Sequence, residues 1–125
     1  MATWKSFEEI DARKKSGRLV CDIYRATREG GFQRDFALRD QIRKSAISIP
    51  SNIAEGFERD SRKAFISFLH IAKGSAGELR TQIYIAGKLE YLDPEQRREL
   101  VAKAKDVSRM LSGLITYLKG MPPKA

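Results

Sequence analysis

Residues 46–65, AISIPSNIAEGFERDSRKAF, set Pro50, Ser51, Asn52 and Glu55 inside what otherwise reads as an amphipathic helix. Either Pro50-Ser51-Asn52 breaks the helix around a site, or it bends the helix within a bundle. Leu38, Ile42, Ala46, Ile49 and Ile53 fall in one narrow sector at about 100° per residue. The stripe passes through Pro50 without changing phase. A break would reset the register, whereas a kinked helix keeps it. The sequence therefore predicts one helix over about Asp35 to Phe57, kinked at Pro50. Proline frees the Ala46 carbonyl, which Ser or Asn side chains or water are expected to help satisfy. Glu55 lies off the core stripe, where a basic residue of another helix or subunit could pair with it. Gly56 is expected to let the chain turn toward Ser61.

Working outward, three more helices follow from the same period. About Phe7 to Thr27 carries Ile10, Gly17, Val20, Tyr24 and Thr27 at helical spacing, with Gly30-Gly31 as its terminator. Gly17 costs this helix about 1 kcal/mol relative to alanine. About Ser61 to Glu90 has Ser61 as N-cap and a core stripe of Phe65, Leu69, Ala72, Ala76, Leu79 and Ile83. Asp93 caps the last helix, Pro94 takes its first position, and Leu100, Ala104, Val107, Leu111, Leu114 and Leu118 repeat at spacings of four and three. The connections, about 28–35, 57–61 and 90–93, are short, which makes successive helices antiparallel neighbours. The expected fold is all-α, an up-down-up-down four-helix bundle forming a single domain over residues 1–120, with a flexible tail at 121–125.

The third predicted helix is apolar on a second side. Ile66, Ile71, Gly74, Gly77 and Ile85 lie there with His70, mixed with Lys63, Glu78 and Lys88. A helix apolar on two faces is covered twice, so Ile66, His70, Ile71, Gly74, Gly77 and Ile85 are the expected interface with another copy. The alternative is that Gly74 and Gly77 accommodate an intrachain helix crossing.

The chain has 125 residues, 24 Lys and Arg against 16 Asp and Glu, and a net charge of +8. No apolar run approaches the ~20 residues that span a bilayer, and the N-terminus lacks a signal-peptide layout. A lone Cys21 excludes an internal disulfide, so a soluble, cytoplasmic protein is expected. The cationic excess permits binding to a polyanion through counterion release. Lys14, Arg18, Arg25 and Arg28 form a stripe on one side of the first helix.

The usual catalytic constellations are missing. One histidine and one cysteine rule out His-pair and thiolate metal sites, and no glutamate stands three residues before His70 as di-metal bundles require. The glycines of REGGF and KGSAG lack the strand-then-helix context of phosphate loops. No catalytic residue, metal or cofactor is expected. An enzyme using Asn52 and Glu55 would need a concave pocket joining both side chains.

The run SIPSNIAEGFERDSRKAFISFLHIAKGSAGELRTQIYIAGKLEYL, with IYRAT before it and VSRMLSGLITYL after it, resembles the bacterial four-helix-bundle family named for reading frames in intervening sequences of 23S rRNA genes. It is similar also to the accessory variability determinant of diversity-generating retroelements. The matching positions include Pro50, Ser51, Asn52, Glu55, Gly56 and Glu78. The resemblance implies a homopentameric barrel, nucleic-acid binding on a basic surface, and, in the retroelement relatives, a reverse transcriptase as companion; it implies no catalytic residues. The resulting expectation is a non-enzymatic homo-oligomer that binds RNA or DNA by phosphate contacts, without strong sequence specificity. Its candidate residues are Lys14, Arg18, Arg25, Arg28, Arg39, Arg43, Arg59, Arg62 and Lys63. The alternative is a scaffold for an acidic partner protein.

Overall fold

Side-chain caps fix where the helices begin. Asp93 accepts from the Gln96 amide at 2.8 Å while the Gln96 side chain accepts from the Asp93 amide at 3.0 Å, a reciprocal capping box. Ser61 accepts from Ala64 N, and Asp35 from Leu38 N. The computed structural model describes residues 7–122 and, within them, every side chain but those of Phe7, Glu8 and Ile10. The helices are α1 (Phe7–Ala26), α2 (Gly30–Arg34), α3 (Phe36–Glu58), α4 (Arg62–Lys88) and α5 (Pro94–Lys119). All regular structure among the described residues is helical. The expected contribution of Ile10 and residues 123–125 of the expected tail lie outside the described residues. Met121 packs against the core, and the Pro122 carbonyl accepts from Arg62 at 3.1 Å.

Four long helices match the four periodic segments, and the fifth, α2, occupies the expected 28–35 connection. Its single turn is too short to show a period. Phe32 holds it down: the ring is buried and lies 5.3 Å from the Tyr91 ring. Gly30, at φ +59°, turns the chain into α2 in a backbone region that favours glycine. Gly31 leaves the room that Tyr91 fills, since a Cβ there would meet the ring at 2.9 Å.

The long helices pack as a closed set of neighbours: α3 on α4, α4 on α5, and α1 on both α3 and α5. Ser45 meets Glu78 and Ser48 meets Ser75, so numbering falls along α4 as it rises along α3. Arg13 over Phe57 and Arg43 over Tyr24 give α1 and α3 the same opposed sense. The core stripes of α3, α4 and α5 are those read from the sequence, with Leu38 half-buried at the margin.

For α1 the core face differs from the sequence expectation. Ala12, Ser16, Leu19 and Ile23 are buried, whereas Gly17, Val20 and Tyr24 are half-buried, and a Cβ at Gly17 would meet nothing within 4 Å. The cause is a polar residue on the core side. Ser16 donates to the Arg13 carbonyl at 3.1 Å, which lets a hydroxyl sit where the apolar count expects a hydrophobe. Thr27 is likewise buried, its hydroxyl donating to the Ile23 carbonyl at 2.8 Å.

Candidate nucleic-acid interface

The 3.6-residue period that buries Leu19 and Ile23 turns Lys14, Arg18 and Arg25 outward on α1, and Arg28 follows just past its end; all four are exposed. Lys14 borders the α3 side, in a shallow recess of about 490 Å³ with Arg13, Pro50, Ser51 and Ala54. Arg18 and Arg25 border the α5 side, in a larger recess of about 660 Å³. Lys15 and Lys103 complete its cationic rim, and Leu19 and Val107 contribute to its apolar floor. Asp22 sits within the rim, 3.0 Å from Arg25 and 2.8 Å from Lys103, while Asp106 pairs with Arg109 at 2.9 Å. Lys14, Lys15 and Arg18 have no carboxylate partner within ion-pair distance among the described residues. Sequence reasoning missed Lys15 and Lys103; the closing contact of the last helix on the first was the signal for Lys103.

The other five candidates do not join this stripe. Arg43 is half-buried, donating to Thr27 Oγ1 at 2.8 Å with its guanidinium 4.5 Å over the Tyr24 ring. Arg39 lies over Phe36, pairs with Asp40 at 3.1 Å and donates to the Gln33 carbonyl. Near the other end of α3, roughly 30 Å away at 1.5 Å per residue, Arg59 stacks over Phe68 and stands 3.7 Å from Glu55. Arg62 is tied to Pro122, and Lys63 is exposed. Aromatic contacts, hydrogen bonds and ion pairs within the chain therefore hold several of these cations, and the nine fall into separate groups.

The proline motif builds a polar seam between α3 and α4. Ser45, almost fully buried, donates to Glu78 at 2.8 Å; Ser48 and Ser75 share a hydrogen bond of 2.8 Å; Asn52 donates to the Ser48 carbonyl at 2.7 Å and to its hydroxyl at 2.9 Å. The Asn52 amide thus serves Ser48 rather than the Ala46 carbonyl freed by Pro50. Ser51 is exposed and borders the α1 recess. Glu55 is half-exposed and its ion-pair partner is Arg59, the residue that follows its own helix, rather than a residue of another helix. Gly56 is buried inside α3 and makes no turn: a Cβ there would come within 2.7 Å of Phe68 Cβ and 2.9 Å of Phe65 Cδ1. Its role is close approach of α3 to α4.

On α4, His70, Ile71, Gly74 and Ile85 are exposed, Gly77 is half-buried, and Ile66 packs against the core. A Cβ at Gly74 would meet nothing within 4 Å, and one at Gly77 only Arg80 Nη2 at 3.8 Å. Neither glycine accommodates an intrachain crossing. Among the described residues there is no cluster of three or more His, Cys, Asp or Glu able to hold a metal, and no helix long and apolar enough to cross a membrane.

The profile of the 23S rRNA-intervening sequence protein family matches residues 8–113. The chain is similar to a crystal structure from Bacteroides thetaiotaomicron, a protein with unknown function from the S23 ribosomal protein family. The TM-score is 0.82 at 25% identity, over 88% of this chain and 99% of that one. No curated protein matches the sequence.

Proposed function

The chain belongs to the family of 23S rRNA-intervening sequence proteins, and from that premise we propose that it is a non-enzymatic, self-associating four-helix-bundle protein that binds RNA or DNA through the cationic side of α1. The observation that carries this reading is the α1 stripe. Lys14, Lys15 and Arg18 project from one helix without carboxylate partners among the described residues, which supports their charge being available to phosphates. Among the described residues no aromatic ring lines the recess that Lys15 and Arg18 border, which favours phosphate contacts over base stacking and hence tolerance of sequence.

The opposed sense of the α1/α3 and α3/α4 contacts supports up-down-up-down topology, with Pro50 as a kink in an unbroken α3. The exposed Ile71, Gly74 and Ile85 on α4 support coverage by another copy, in the homopentamer that the family resemblance implies.

Affinity for a structured RNA, measured as salt rises from about 50 to 200 mM, tests the binding. Neutralising about four phosphates predicts a loss on the order of a hundredfold. A flat response removes the electrostatic mechanism. No retention on RNA at low salt, together with co-purification of an acidic protein, would favour a scaffold role instead.

A further inference from the structure

Gly87 marks the line along which α4 and α5 meet: a Cβ there would come within 2.5 Å of Arg97 Cδ, so the Arg97 stem lies across it. Seven residues make nearly two full turns, which puts Arg80 and Lys73 on the same flank of α4 as Gly87. On α5, Lys119 falls within about 40° of Arg97, and Lys105 stands further outward on the same flank. Lys73, Lys105 and Lys119 are exposed. Arg80 is half-buried and lies beside Gly77, where a Cβ would meet only its Nη2, at 3.8 Å. None of these four cations has a carboxylate within ion-pair distance among the described residues.

The carboxylates of the two helices face elsewhere. α4 contains one, Glu78, which accepts from Ser45 on the α3 side. On α5, Glu99 and Asp106 line recesses shared with α1, and Glu95 stands one turn before Glu99. Acids join the groove at the α4–α5 connection, where Glu90 and Asp93 share a recess with Lys88 and Arg97. The uncompensated charge therefore begins at Arg80 and Lys105 and runs away from that end. Lys73 lies about 10 Å along α4 from Arg80, and Lys119 about 21 Å along α5 from Lys105. A row of that length suits an extended polyanion better than a single small anion.

Resting on the nucleic-acid reading above, we propose that the α4/α5 groove is a second phosphate-binding track, on the flank of α5 opposite the one that meets α1. The footprint of RNA or DNA on the chain then includes Lys73, Arg80, Lys105 and Lys119 in addition to the α1 stripe.

Lysine acetylation of the wild-type chain by a water-soluble succinimidyl acetate, read by mass spectrometry with and without a saturating RNA hairpin at about 50 mM salt, tests this. RNA should slow the reaction at Lys73 and Lys105 as well as at Lys14, and should leave Lys44, exposed on α3, unchanged. Protection of Lys14 without Lys73 and Lys105 overturns the second track and keeps the α1 face. Protection of no lysine, with no RNA bound, overturns the underlying function instead. Protection of Lys73 and Lys105 by polyglutamate but not by RNA would reassign the groove to an acidic protein and overturn the proposal. A second measurement compares Lys73→Glu with Lys105→Glu against Arg34→Glu with Lys44→Glu, two exposed pairs whose reversal takes the charge from +8 to +4 alike. The groove pair should weaken RNA binding about tenfold more and lower the dependence of log affinity on log salt by about two. Equal losses from the two pairs would overturn the track.

Discussion

Tyr91 fastens the end of the molecule where α2, α3 and the α4–α5 connection meet. Its hydroxyl donates to Asp35 Oδ2 at 2.9 Å, while Asp35 Oδ1 caps α3 through Leu38 N. That hydrogen bond first, then partial removal from water and the Asp35 charge, raise the Tyr91 pKa above its ordinary 10.0, against a smaller opposing effect of Arg34. The folded pKa is raised, so the stabilisation is fully present below the unfolded value and is lost as pH climbs through the folded one. Tyr91→Phe should therefore be less stable than wild type in urea at about pH 8, with the gap narrowing by about pH 11; a constant gap would show that the phenol proton plays no part. Arg43 makes a sharper point about reading single cations. Sequence places it among the phosphate-binding candidates, but its guanidinium is held by Thr27 and Tyr24. Arg43→Ala should cost about 1–3 kcal/mol in urea unfolding and change RNA affinity far less than loss of Arg18. Equal losses of affinity would return Arg43 to the binding surface. Nothing in sequence marks this difference, because it depends on which ring stands across the α1/α3 contact.

At the scale of the element, what sequence made legible was set by period length. The stripes of α3, α4 and α5 run through several turns, so Ile42, Leu79 and Leu111 declared their faces, and the Asp93-Pro94 start fixed α5. One turn of α2 offers no period. The α1 face was misjudged at Ser16, which is buried with its hydroxyl satisfied by the helix itself, whereas Thr27, on the expected stripe, is buried as read. The glycines divide on the same ground, since their surroundings come from another element. Gly56 lies against Phe65 and Phe68, whereas Gly74 faces open space. Gly56→Ala should destabilise the protein by about 1–3 kcal/mol from overpacking, an effect that its gain of about 1 kcal/mol in helix propensity only partly offsets. Gly74→Ala carries the same propensity gain without the clash, so chemical denaturation should place the two variants on opposite sides of the wild-type protein. Two destabilised variants would mean that Gly74 is packed against something other than its own chain.

For the whole molecule, the +8 charge was legible from composition, but its placement was not. Stripe reasoning works along a single helix and singled out Lys14 and Arg18; it could not place Arg59 and Arg62 relative to them, nor see that α5 brings Lys103 to the recess that Arg18 borders. Two charge-reversed proteins separate net charge from location. Lys14→Glu with Arg18→Glu, and Arg59→Glu with Arg62→Glu, each change the charge by four, from +8 to +4. Long-range attraction to a polyanion is nearly equal for the two, because it depends on the total. Contact with phosphates is not equal, because Arg59 lies beside Glu55 and Phe68, and Arg62 is tied to Pro122, while Lys14 and Arg18 have no such partners among the described residues. Reversal on α1 should weaken RNA binding about tenfold more than reversal at the far end, and should lower the dependence of log affinity on log salt by about two. Equal losses with equal slopes would mean that the protein binds as a diffuse cation, and the α1 face would no longer define the interface.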